Sequence, residues 1–314
     1  MKKKLVLFVC IVTLLISFSC DDNFNPKAPF KEQYVLNCII RGDSATQIAV
    51  LSKTYDVSGF DPNNNNIDPS ISDAQVYLKW KGKLYQLSDS SIARTDTSKY
   101  KGPIKFYYSK AFTPAPNDSV EITAIPAPGV LLTSRLKVPF NVYFGNSPWF
   151  IHGDEISLNY RWTTPDFNVY YLPRMKIIYQ KRNEIPVVTY SFEVPLDYSS
   201  ANGIETPVYP GLSPAAGIEY VRTNIDKAML KVSNGNIKSN YRFLRIDLEL
   251  LIFDQFLAGY ISATNGFLDN LSIRLDEPNY TNISGGLGIF GAYLYNVLQI
   301  SFSNDYLSNL GYTP

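Results

Sequence analysis

The chain has 314 residues, 29 basic against 28 acidic side chains, one histidine and three cysteines. A nearly neutral balance gives no electrostatic reason to expect nucleic-acid binding. One histidine leaves little scope for histidine-based catalysis or a histidine-rich metal site.

The N-terminus is the most informative segment. Lys2, Lys3 and Lys4 precede an apolar stretch from Leu5 to Ile16, broken only by Thr13. Such a stretch is too short to cross a bilayer comfortably and reads as the core of a signal peptide. Ser17-Phe18-Ser19-Cys20 follows, with small residues three and one before the cysteine. A lipoprotein signal peptidase requires this kind of pattern, although Ser17 stands where leucine is more usual. The sequence therefore predicts a signal peptide over 1–19 and a lipidated Cys20 at the new N-terminus. Diacylglycerol plus an amide-linked chain such as palmitate buries more than one acyl chain, enough for stable anchoring. Cleavage removes three lysines and no acid, so the net charge of +1 becomes −2. Cys10 leaves with the signal, and Cys38 is then the only free thiol, which excludes an intramolecular disulfide. Its place in the apolar run Tyr34 to Ile40 predicts a buried, inert side chain.

Residues 20–32 are polar and contain Pro26 and Pro29, the composition of a tether. From Gln33 the pattern becomes β. Tyr34 to Arg41 and Thr46 to Thr54 read as strands joined at Gly42-Asp43-Ser44. After a polar loop from Asp56 to Ser70, Ala74 to Trp80 alternates at period two and turns through Lys81-Gly82 into Lys83 to Leu87. Ile104 to Ser109, Ser119 to Ile125 and Leu132 to Val138 continue the series. Frequent turn signals and strand-sized segments predict an immunoglobulin-like β-sandwich over 33–139.

A second, β-rich domain is expected over 140–314, with room for one helix. Ile156 to Trp162, Val169 to Gln180 and Val187 to Val194 are rich in Tyr, Val and Ile. Pro195 to Gly217 reads as a long connection. Tyr241 to Phe253 is the strongest strand, and Asp254 is placed to cap a helix from Gln255 to Thr264, stopped at Asn265-Gly266. A glycine-rich turn and the apolar stretch Tyr293 to Phe302 close the chain. No segment after Cys20 approaches transmembrane length.

Asn282-Ile283-Ser284-Gly285-Gly286-Leu287-Gly288-Ile289-Phe290-Gly291-Ala292-Tyr293 resembles the closing motif of a large family of Bacteroidetes lipoproteins, known as domain of unknown function 4249. Glu277-Pro278-Asn279-Tyr280 before it, the helix with Phe256 and Tyr260, and the strand pair around Tyr34 to Asn37 and Ala49 to Thr54 are also similar. Ser284 departs from the acidic residue frequent in that family, and the C-terminal tail is short. The resemblance implies an outer-membrane lipoprotein and implies no catalytic residues. Asp21-Asp22, just after Cys20, resembles the signal that exports such lipoproteins to the cell surface; a merely solvated tether is the alternative.

Three constellations can be weighed against simpler readings. Asp61 to Asp68 spaces oxygen ligands as a calcium loop does, but it lacks the glycine at the sixth position and the closing glutamate, and reads as a surface loop. Gly285-Gly286-Leu287-Gly288 lacks the strand-turn-helix setting of a phosphate loop and reads as a turn or bulge where backbone meets backbone, with Ile289 and Phe290 in the core. His152 lies in a connecting segment with no nucleophile motif nearby. No metal site, cofactor or catalytic residue is expected.

Trp149, Trp162, Tyr170 and Tyr171 cluster in sequence near Phe167 and could stack on sugars. Core packing and cross-strand pairing are the competing explanation. The leading expectation is a non-enzymatic outer-membrane surface lipoprotein, held to the membrane by its lipid. It would act by protein contact, as an accessory to a TonB-dependent transporter. The alternatives are a glycan- or nutrient-binding lipoprotein using those aromatics, and a hydrolase with a carboxylate pair that spacing alone does not reveal.

Overall fold

The computed structural model describes residues 29–57, 59, 61, 65–145, 150–151, 156–264 and 280–314. Residues 33–54 and 66–314 form one compact unit. The described residues of the remainder, within 29–32 and 55–65, form no helix or strand. Cys20, Asp21 and Asp22 lie outside the described residues.

The first strands are β1 (Tyr34–Arg41), β2 (Gln47–Lys53), β3 (Gln75–Trp80) and β4 (Lys83–Gln86), followed by β5 (Ser88–Ile92), β6 (Ile104–Ser109), β7 (Ser119–Ile125) and β8 (Leu132–Lys137). They form two facing layers. One runs β1-β2-β6-β5 as part of a nine-stranded sheet, and the other runs β4-β3-β7-β8. Alternation decides what lies between them: Leu36, Cys38 and Ile40 of β1 and Ala49 and Leu51 of β2 meet Val76 and Leu78 of β3 and Val120, Ile122 and Ala124 of β7 in one buried cluster. Each leucine, isoleucine or valine among them contributes roughly 1.5–3 kcal/mol when fully buried. Gln47 is buried too, and its amide closes the β1–β2 turn, accepting from Arg41 N and donating to the Arg41 and Ser44 carbonyls. This is a β-sandwich, as its sequence pattern predicts.

The chain continues through β9 (Tyr143–Phe144), β10 (Phe150–Ile151), β11 (Ser157–Thr163), β12 (Val169–Lys181), β13 (Thr189–Val194), β14 (Asp197–Ala201), β15 (Ile204–Val208), β16 (Gly217–Val221) and helix α1 (Arg222–Ser233). It ends with β17 (Tyr241–Asp254), α2 (Gln255–Thr264), β18 (Leu287–Phe302) and α3 (Asn304–Asn309). The expected 139/140 boundary falls inside the compact unit, because the large sheet runs β13-β12-β17-β18-β1-β2-β6-β5 without a break. β18 makes the join. Its first half pairs parallel with β1, from Val35 beside Leu287 to Arg41 beside Tyr293, and its second half pairs antiparallel with β17. On one face it gives Phe290, Ala292 and Leu294 to the sandwich core and Leu298, Ile300 and Phe302 to a second core, with Tyr160, Tyr220, Met229 and Tyr306.

Three helices stand among the described residues where the sequence left room for one. α1 buries Ile225, Ala228 and Met229 against the second core, and α3 buries Tyr306 and Leu307. The stretch read as a long connection, Pro195 to Gly217, holds the hairpin β14–β15 and ends where β16 begins. Among the described residues no helix is long and apolar enough to cross a membrane.

The closing motif is a structural joint. Ser284 exchanges two backbone hydrogen bonds with Thr133 of β8, 2.8 and 3.0 Å, and Ile289 N donates to Asn37 Oδ1 of β1. Asn282 brackets Phe290, accepting from its N–H and donating to its carbonyl. Gly288 has φ +113° and lies against the Leu36 carbonyl, where a Cβ would collide with backbone. Ile289 and Phe290 are buried, as a packing role for the motif requires. Gly288→Ala should therefore cost at least about 3 kcal/mol, being both strained and obstructed. Gly82→Ala, at φ +76° with open space around it, should cost only about 1–2 kcal/mol. Paired denaturation curves measure both, and equal losses would refute the role given to the close approach.

Candidate functional site

The aromatic cluster is the first place to look for a ligand. β11 points Leu158, Tyr160 and Trp162 inward, and β12 points Val169, Tyr171 and Met175 inward. Trp162 and Tyr171 are each 2% exposed and meet edge to face at 5.3 Å, and Phe144 meets the indole edge to face at 6.5 Å. Their ring faces are occupied by the core, so these two residues are not a stacking platform for a sugar. Tyr170 has the opposite parity. It is half-buried against Phe253, Leu257 and Ala258, beneath α2. Trp149 and His152 lie outside the described residues. Neighbours in sequence were divided between two faces by the two-residue period of a strand.

The carboxylates also have structural work. Asp254 ends β17 and begins α2, and its Oδ1 accepts from Leu257 N at 2.7 Å, the geometry of an N-cap. It is 6% exposed, and burial pushes its carboxyl up to about 7 against the opposing pull of the Leu257, Ala292 and Phe256 amides. Oδ2 makes no well-formed hydrogen bond, although those amides lie close enough to favour the charged form. Asp254 shares a hollow of about 320 Å³ with Asp166, Arg135 and Lys137. Asp166 accepts from Asn168 N in a local turn. A neighbouring hollow of about 420 Å³ shares Arg135 and Phe256 and reaches Asn282 and Ser284. Arg135 faces Glu121 at 3.7 Å, and Lys137 lies over the Phe140 ring at 5.3 Å. Both hollows are shallow and their charges are engaged.

The calcium-like loop is likewise engaged where it is described. Asp68 accepts from Ser70 N and Arg94 Nη2, each through a different oxygen, while 62–64 lie outside the described residues. Among the described residues no cluster of His, Cys, Asp or Glu is arranged to hold a metal ion. Cys38 is buried, and desolvation pushes its thiol up to about 12.

What remains open is the outer face of the large sheet. Ile39 of β1 and Ile48 of β2 are 40% and 47% exposed on that face. Ile48 pairs with Tyr108 of β6, whose ring lies 6.1 Å from Phe106, and Ile104 extends the row. Tyr295 and Val297 of β18 present the same face lower down, where Arg245–Asp247 and Lys176–Glu249 pairs form its charged border. Sequence reading missed this surface. The signal was present in β1, where Val35 and Ile39 make the second face apolar although only one face of a sandwich sheet is buried.

The raised Asp254 carboxyl has a measurable consequence. The folded state holds its proton up to about pH 7, whereas the unfolded chain releases it near 3.8. Between those values folding takes up a proton, so the stability this group confers falls as pH rises. Relative to Asp254→Asn, the protein should lose up to about 4 kcal/mol between pH 4 and 7, with no further change above that window. Urea curves across this range test it, and a constant difference would refute the buried, proton-holding carboxyl.

No protein-family model matches the sequence, and no curated protein matches it. Among solved structures, the chain is similar to the FN1-FN3 domains of chicken CNTN1 at 11% identity and a TM-score of 0.15, over 79% of this chain and 61% of that one.

Proposed function

We propose that this chain is a non-enzymatic lipoprotein of a Bacteroidetes outer membrane, anchored through Cys20, that acts by protein contact. The observation that carries this reading is the outer face of the sheet, where Ile39, Ile48, Phe106 and Tyr108 form an apolar surface outside both cores. Contiguous exposed apolar surface of this kind marks contact sites. The enzyme reading loses support because the buried carboxylate is a helix cap in a shallow hollow. The glycan reading loses support because Trp162 and Tyr171 are core. The motif at 282–293 and the acidic pair Asp21-Asp22 support the outer membrane and its cell-surface face. A TonB-dependent transporter is the partner that the family resemblance suggests, by analogy alone.

Crosslinking on intact cells tests the reading. The protein should recover an outer-membrane transporter, and Ile48→Lys should reduce that recovery several-fold while changing stability by no more than about 0.5 kcal/mol. Recovery of this chain alone under several growth conditions would count against protein contact. Cys20→Ala should abolish labelling by a fatty-acid probe, and labelling that persists would refute the anchor.

A further inference from the structure

Strand register gathers several connections at one end of the sandwich. Tyr34 at the start of β1 lies opposite Lys53 at the end of β2. β6 runs antiparallel to β2, so its first residue, Ile104, lies at this same end and pairs with Ile92, the last of β5. Gly286 is wedged between the Tyr34 carbonyl and the Leu132 side chain, which brings the β7–β8 tip here too. That tip, Pro126-Ala127-Pro128-Gly129-Val130-Leu131, lies in a run from Ile122 to Ser134 without a charged side chain, and Leu131 is 56% exposed. The β5–β6 connection adds Lys99, Tyr100 and Lys101, with Lys99 Nζ 5.4 Å from the Tyr100 ring centre. Ile92 and Ile104 are exposed beside it.

This is also the end where the preceding chain enters. Gln33 follows Cys20 by thirteen positions, a reach of at most about 45 Å. β18 starts here and runs sixteen residues away, about 50 Å, toward the end that carries the exposed Ile185 beyond β12. A lipid on Cys20 would therefore pull on the molecule at the Tyr34 end and not at the Ile185 end.

Resting on the reading of Cys20 as the anchor, we infer that this end of the sandwich contacts the membrane surface itself. The Pro126–Leu131 tip enters the boundary between headgroups and acyl chains. Lys99 and Lys101 lie at headgroup level, with the amphipathic Tyr100 between them. An uncharged tip and a Tyr–Lys cluster at the same end of the sandwich match the two layers of that boundary, apolar below and anionic above.

The full acylated chain in vesicles of phosphatidylethanolamine and phosphatidylglycerol, with a fraction of nitroxide-tailed lipid, tests the inference. Cys38 is buried, so a maleimide dye reports on an introduced thiol: Leu131→Cys in one variant and Ile185→Cys in the other. Dye at 131 should be quenched several-fold more than dye at 185. Equal quenching at the two positions, with the protein floating with the vesicles, overturns the inference and leaves the anchor intact. Failure to float, together with dye attached at Cys20, overturns both.

Discussion

The fold depends on the parallel pairing of its first described strand with its last. β1 and β18 are separated by some 250 residues of chain, yet they lie side by side from Val35 and Leu287 to Arg41 and Tyr293. A parallel neighbour needs a crossover, and here nearly the whole protein is the crossover. The entropy of closing so long a loop must be met by contacts formed at once along the seam. The Gly288 approach to Leu36, the Ile289 N–H bond to Asn37 Oδ1 and the Ser284 bridge to Thr133 are those contacts. They tie β18 to both layers of the sandwich rather than to one.

Once β18 is seated, the second core follows from its alternation. Phe290, Ala292 and Leu294 have the same parity as Leu298, Ile300 and Phe302, so one uninterrupted strand has to bury the same face in both places. β17 does likewise, with Ile246 and Leu248 in the second core and Leu250 and Ile252 in the first. That is why a boundary at 139/140 is natural in sequence and absent in space. The sequence shows where strands begin and end, and sheets are assembled from strands that are distant along it.

The elements legible from residues alone were those whose packing writes a clean period. β1, β3, β7, β12 and β17 fall within a residue or two of their alternating stretches, and Asp254 caps the helix it was expected to cap. The elements that escaped lack that signal. β5 is Ser-Asp-Ser-Ser-Ile at a sheet edge, and every residue of β15 is exposed, so neither has a buried face to pattern. α1 did carry one, with Ile225, Ala228, Met229 and Val232 at helical spacing, masked by Thr223 and Asn224 at its start. At Trp162 and Tyr171 core packing, the explanation weighed against sugar stacking, holds, because burial is a property of parity and partner strands, not of residue type.

The open outer face follows from the length of α2. Ten helical residues span about 15 Å, close to three strand spacings of roughly 4.8 Å. The helix packs on β12, β17 and β18, and Gly291 lets Leu257 descend onto the last of these. Next to Gly291 the sheet continues with Ile39 of β1, which carries a side chain of its own, and then with Ile48 of β2. Covering β1, β2, β6 and β5 as well would take a second helix of similar length, and no described segment supplies one. The same sheet therefore has an outer face that α2 seals where Leu251, Phe253, Gly291 and Tyr293 lie and that is apolar and uncovered on β1, β2 and β6.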